Sequence, residues 1–184
     1  IYESNSATGR FMVSLPAGRN YGISVKKKGY LFYSENFNIP DTAAFQVIEK
    51  VVQLDRLEVG KKVVLKNIFY DLDKANLRTS SSNELNKVIE LLTNNPKVKI
   101  ELSAYTDSRG SDAYNEKLSQ ARALSCMDYL IGKGVSSDRL TAKGYGEKNP
   151  IYTEKEIERI KEEEGQETLH QKNRRTEFKI LDNE

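Results

Sequence analysis

At 184 residues the chain is long enough for one full domain and a smaller companion, since single domains most often run to about 100 to 150 residues. Hydrophobic residues make up 38% and charged residues 30%, with a formal net charge of +2, so there is no general electrostatic case for a nucleic-acid partner and any charge-based function must be local. No apolar run approaches the roughly 20 residues needed to span a bilayer, and the chain starts at Ile1 in mid-pattern; it is expected to be part of a longer protein whose membrane anchor lies elsewhere.

Residues 10–37 read as short strands. Phe11, Val13 and Leu15 alternate, as do Ile23 and Val25, with Pro16-Ala17-Gly18 and Lys28-Gly29 as turn signals. Two or three strands bury too little to stand alone, so this piece is expected to need further strands or a neighbour. Lys26, Lys27 and Lys28 are read as a solubilising device on an edge strand. Residues 38–60 hold Pro40 and the apolar stretch Val47 to Leu54, read as a connector containing a strand. The resulting division is a partial β segment over 1–40, a connector over 41–61 and a domain over 62–184.

From Lys62 the pattern becomes alternating strands and helices. Val63-Val64-Leu65 predicts a strand leading into "NIFYDLDKANL". A helix is expected from Ser82: Ser81 and Glu84 have capping-box spacing, Leu85, Val88, Ile89 and Leu92 recur at helical spacing, and Asn94-Asn95-Pro96 stops the run. Val98, Ile100 and Leu102 predict a strand ending at Ala104, followed by turn chemistry at Asp107, Ser108 and Gly110. The longest helix is expected over 112–133, with Ala123, Met127, Leu130 and Ile131 on its apolar face. Cys126 is the single cysteine and falls inside this pattern, where a buried core thiol is expected; it leaves the redox compartment undecided. "RLTAKGYG" predicts another strand, "TEKEIERIKEEE" a solvated charged helix, and Thr176, Phe178 and Ile180 a closing strand.

One set of polar residues stands apart from this scaffold. Asn115, Ser119 and Arg122 fall at spacings of 0, 4 and 7, on a helical stripe expected to face something polar. Asp107 precedes the same helix, where a carboxylate can hold an ammonium while Arg122 takes a carboxylate through its planar fork. Residue types alone favour a turn cap and a surface ion pair over such a zwitterion clasp.

The stretch "YTDSRGSDAYNEKLSQARA" resembles the signature of the OmpA-like C-terminal peptidoglycan-binding domain family, and the likeness runs from "NIFYDLDKANL" through "RLTAKGYGEKNPI" to "NRRTEF", covering about residues 62–182. The resemblance implies an α+β fold, a β/α/β/α/β domain with a mixed sheet, preceded here by a small partial β-sandwich segment. It also implies a groove that binds the diaminopimelate-containing stem peptide of peptidoglycan without covalent chemistry or cofactor, tethering an outer-membrane protein to the wall from the periplasmic side. The family's turn Asp and helix Arg, which clasp the head of diaminopimelate, fall on Asp107 and Arg122, with Thr106 and Asn115 beside them. The "NRR" contact falls on Asn173 and Arg174, and the loop after the first strand contributes around Asp73. Two departures stand out: Ala104-Tyr105 replaces the usual Gly-His before Thr-Asp, and Leu169-His170-Gln171 replaces "GRA" before "NRR". The ending "HQKNRRTEF" resembles versions of the domain in Bacteroidetes-type outer-membrane proteins. "GRFMVSLPAGRNYGISVKKKGY" resembles the second half of a carboxypeptidase-regulatory-like β-sandwich.

The reading is therefore a non-enzymatic binding module. Its rival is a docking module for other outer-membrane or envelope proteins with little direct wall affinity, discriminated by whether the groove is open or is occluded by Tyr105 or residues 153–170. A wall hydrolase ranks third, because nothing pairs the carboxylates of "DLDK" and the "TD" turn as acid and nucleophile, and His170 is the only histidine available for a triad or a metal.

Overall fold

The computed structural model describes residues 3–183 apart from Ser6, Ala43, Leu72 and Asp73. It divides into two compact units, residues 1–25 with 33–53, and residues 26–32 with 54–184. In the first unit β1 (Arg19–Val25) and β2 (Tyr33–Ile39) pair antiparallel, Arg19 opposite Ile39 and Val25 opposite Tyr33. The strands expected at 11–15 and in 47–54 do not form. Alternation specifies a face, but a strand also needs a neighbour for its backbone N–H and C=O groups, and among the described residues these meet no partner strand.

The second unit contains β3 (Lys62–Leu65), α1 (Ser82–Asn94), β4 (Lys99–Ala104), α2 (Asp112–Gly132), β5 (Leu140–Gly144), α3 (Glu154–Ile157), α4 (Glu163–Asn173) and β6 (Thr176–Asp182). Its sheet runs β3-β6-β4-β5 and is mixed: β4 and β5 are parallel, joined by the crossover helix α2, while β6 is antiparallel to both β3 and β4. The α+β architecture with a mixed four-stranded sheet is the one expected, with the two-stranded β1–β2 sheet preceding it. The core joins Leu85, Val88 and Leu92 of α1, Cys126 and Leu130 of α2, Ile100 and Leu102 of β4, and Phe178 and Ile180 of β6, all fully buried. Burying each of the larger side chains is worth about 1.5 to 3 kcal/mol. Cys126 is part of this core, its Sγ 3.2 Å from the Tyr70 hydroxyl, and burial pushes its thiol up to about 11.

Two helix starts differ from expectation. Ser81 has helical dihedrals rather than the extended conformation of an N-cap, and its hydroxyl bonds Phe69 instead, accepting from the N–H at 2.8 Å and donating to the carbonyl at 3.1 Å. Glu84 correspondingly turns inward, its Oε2 accepting from Lys87 Nζ (2.8 Å) and Asn67 Nδ2 (3.1 Å). A capping box forms instead at α3, between Thr153 and Glu156. The single solvated helix expected over 153–164 is replaced by α3 and α4, which bury Ile157 and His170.

Helix α2 packs on β5 at very short range. A Cβ at residue 144 would fall 2.2 Å from the Gln120 backbone nitrogen, so only glycine fits. The Gln120 side chain fills the contact, donating to the Ala142 carbonyl (3.2 Å) and accepting from the Gly144 N–H (2.7 Å). Gly144→Ala is expected to destabilise the chain by about 1 to 3 kcal/mol through overpacking, read as a lower urea midpoint. An unchanged midpoint would contradict the packing described here.

Candidate functional site

Three backbone bonds stitch the strand ends together where the polar residues converge. Tyr105 N–H donates to Arg175 O (2.9 Å), Thr106 N–H to Gly146 O (2.8 Å), and Tyr145 N–H to Ala104 O (3.0 Å). The turn that follows β4 enters α2 at Ser111, whose hydroxyl caps the helix by accepting from Tyr114 N–H at 3.3 Å. Gly110 turns the chain at φ 108, a conformation that favours glycine.

On this turn Asp107 is buried, its side chain 8% exposed. Its two oxygens are treated unequally. Oδ2 accepts from Arg109 Nε (3.1 Å) and Nη2 (2.6 Å) and from Arg174 Nη1, whereas Oδ1 holds one long bond from the Arg109 backbone N–H (3.3 Å). Burial pushes the Asp107 carboxyl upward, but the guanidinium bonds outweigh it and hold the carboxyl below its ordinary value. Glu167 of α4 closes the arrangement by accepting from Arg109 Nη1 at 2.9 Å and from Arg174 Nη2, and Gln171 also accepts from Arg174. The Arg174 bond foremost holds Glu167 below its ordinary value as well. Two carboxylates and two guanidiniums thus form a neutral ring. Beside it, Thr106 Oγ1 is buried and meets no hydrogen-bond partner among the described residues. Ser108 donates to Glu154 of α3, so both helices that precede β6 touch the turn.

The remaining expected residues are held by different partners. Arg122 is half-buried over the Tyr70 ring (4.8 Å to the centroid), its Nε donating to the Lys74 carbonyl at 3.1 Å. Tyr70 is fixed in turn through its hydroxyl by Cys126 and Thr176 (3.1 Å), and burial pushes its phenol far above the ordinary value. Asp73 lies outside the described residues. Asn115 is buried, its Nδ2 donating to the Asp107 carbonyl (3.2 Å) and to Glu147 Oε2 (2.7 Å). Ser119 is buried too, accepting from Gly146 N–H at 2.8 Å. The polar stripe of α2 is therefore continuous with its apolar stripe: Asn115, Ser119, Ala123, Cys126 and Leu130 form one buried face, and Arg122 flanks it. Asn173 is held by the 151–152 loop, accepting from both N–H groups (2.9 Å each) and donating to Tyr152 O (2.7 Å).

Tyr105, at the altered lip, does not project into the site. It is buried between Tyr145, stacked at 5.1 Å, and Arg175, whose guanidinium lies 3.7 Å from its centroid. The sequence reading missed Arg109 and Glu167. A signal for the second was present: Glu167, Gln171 and Arg174 sit at spacings of 0, 4 and 7, the geometry of one helix face, just beyond the stretch 153–164 read as a solvated helix. Among the described residues no cluster of His, Cys, Asp and Glu is arranged to hold a metal ion.

A family model described as "OmpA family" matches residues 69–164. The chain is 40% identical over 94 residues to outer membrane protein A of Citrobacter freundii, covering 50% of this chain and 40% of that protein. It is 34% identical over 112 residues to outer membrane protein P5 of Haemophilus influenzae, covering 61% of this chain and 29% of that one. The chain thus spans less than half the length of these curated relatives. Among solved structures, the periplasmic domain of Helicobacter pylori MotB shares the fold at a TM-score of 0.54 and 19% identity, covering 71% of this chain and 81% of that one.

Because the folded Asp107 carboxyl is held below its unfolded value, the ring stabilises the fold fully above the ordinary aspartate range, and that contribution is lost as pH falls through the lowered value. The urea midpoint of Asp107→Asn is expected to lie below that of the parent at pH 7, with the gap closing as pH falls below the ordinary aspartate range and through the lowered value. A gap of constant size across this range would remove the ring as its source.

Proposed function

The chain belongs to the OmpA family, and from that premise we propose that its strand-end site binds the stem peptide of peptidoglycan non-covalently, through the zwitterionic head of diaminopimelate, and so holds an envelope protein to the wall. One observation supports this above others. Asp107 is a buried carboxylate whose Oδ1 keeps only one long backbone bond, and the buried hydroxyl of the preceding Thr106 meets no partner among the described residues. Native interiors rarely leave polar atoms so placed, and an ammonium supplies the donors that Asp107 Oδ1 lacks. Arg122, held in position by the Tyr70 ring and the Lys74 carbonyl, presents a planar fork for the adjoining carboxylate. Arg174 and Asn115 support Asp107, one through its side-chain oxygen and the other through its carbonyl, and Asn173 fixes the bordering loop; Asp73 is proposed on the resemblance alone.

The proposal is of binding without turnover on the periplasmic side of the outer membrane. The parent is proposed to be a Bacteroidetes-type outer-membrane protein on the strength of the "HQKNRRTEF" ending. For residues 1–40 the proposed origin is a carboxypeptidase-regulatory-like domain, on the "LPAG" turn and the "GY" ending. A second reading, docking to other envelope proteins with little wall affinity, draws on the contacts of α3 and α4 with the turn, which cover part of it.

Pull-down by purified diaminopimelate-type sacculi tests the proposal. The parent is expected in the pellet, and Asp107→Ala or Arg122→Ala each to lose about 2 to 5 kcal/mol, at least roughly 30-fold in affinity and below detection in this assay. Both variants pelleting like the parent would refute the clasp, and a folded parent remaining in the supernatant would favour the docking reading.

A further inference from the structure

The ring around Asp107 is built from unequal halves. The Asp107 side chain is 8% exposed and Arg174 23%, whereas Glu167 is 51% exposed and Arg109 54%. Glu167 gives one oxygen to each guanidinium, Oε2 to Arg109 Nη1 and Oε1 to Arg174 Nη2, which is the seating a bound carboxylate would adopt across two arginines. We infer that Glu167 is an internal stand-in for a carboxylate of the ligand, and that Arg109 and Arg174 form a second carboxylate-binding fork, which the ligand enters by displacing Glu167. The inference rests on the stem-peptide reading given above and adds a specificity determinant to it.

The exchange is favoured on one side of the ring only. Displacing Asp107 would leave a buried charge without its partners, whereas Glu167, on the exposed side of α4, passes into water with little desolvation change. Replacing one carboxylate by another keeps the ring neutral. A carboxamide in the same place would leave two guanidiniums facing a single carboxylate, so the fork discriminates a free carboxyl from its amide. Arg122 takes one carboxylate and the Arg109–Arg174 fork another, which selects a diaminopimelate stem with both carboxyls free. The two forks come from different elements, α2 for Arg122 and the turn with the end of α4 for the other, and Asp107 belongs to the second of them through its Oδ2 bonds.

Calorimetric titration of the whole chain with a synthetic stem tripeptide ending in diaminopimelate, as the diacid and as each of its two mono-amides, tests this. The parent is expected to prefer the diacid over both mono-amides. Glu167→Gln, at an exposed position that removes the competing charge without changing shape, is expected to bind the diacid about fivefold more tightly. Arg109→Ala is expected to abolish the preference over one mono-amide while keeping it over the other. Unchanged or weaker diacid binding by Glu167→Gln, with the parent binding normally, overturns the stand-in and leaves the stem-peptide reading standing. Absence of binding by both proteins, each shown folded by circular dichroism, overturns the two together.

Discussion

Helix α2 approaches the end of β5 so closely that residue 144 has no room for a side chain, and the geometry of the site follows from that contact. With Gln120 locked onto the β5 backbone, the next turns of α2 toward its N-terminus bring Ser119 to the Gly146 amide and Asn115 to the Asp107 carbonyl. The post-β4 turn is thereby held against the helix that follows it. Asp107 and Arg122 are positioned by one rigid element rather than by a free loop, the condition under which a charge-assisted clasp can be preorganised.

The polar end of α2 is also what separates this helix from an ordinary core helix. Its buried face is apolar at Ala123, Cys126 and Leu130, where it covers the sheet, and polar at Asn115 and Ser119, where it covers strand ends whose backbone groups need partners. Arg122 sits at the change from one to the other. Tyr70, bonded to Cys126 and Thr176 and lying under the guanidinium, ties this arginine to the core. On the opposite side, Tyr105 packs between Tyr145 and Arg175, and the Tyr145 hydroxyl, donating to Glu101 at 2.8 Å, is pushed up to about 12 chiefly by burial. Tyr105 thus reinforces the sheet end.

Features set by short-range periodicity were legible in the sequence. Ile100 and Leu102 declare a strand, and Leu85, Val88 and Leu92 a helix, because each pattern repeats within a few residues and the core receives it on one face. Features set by distant partners were not. Ser81 and Glu84 have the spacing of a cap, yet Phe69, 12 residues away, claims the hydroxyl, and Lys87 with Asn67 claims the carboxylate. Phe11, Val13 and Leu15 alternate without a strand to pair with. Arg109 and Glu167 lie 58 residues apart, and no local pattern links them, although Glu167 could have been placed on the Arg174 face of its helix from spacing alone. The resemblance supplied Asp107 and Arg122, whose residue types alone would have been read as a turn cap and a surface ion pair.

The central claim is that a ligand's ammonium lies on Asp107 and its carboxylate on Arg122. A crystal structure of the chain with free diaminopimelate tests it most directly. The account predicts an ammonium nitrogen at about 2.7 to 3.0 Å from Asp107 Oδ1, within reach of Thr106 Oγ1, and a carboxylate across the Arg122 guanidinium. Diaminopimelate bound elsewhere, with Asp107 Oδ1 and Thr106 Oγ1 in their present surroundings, would contradict it.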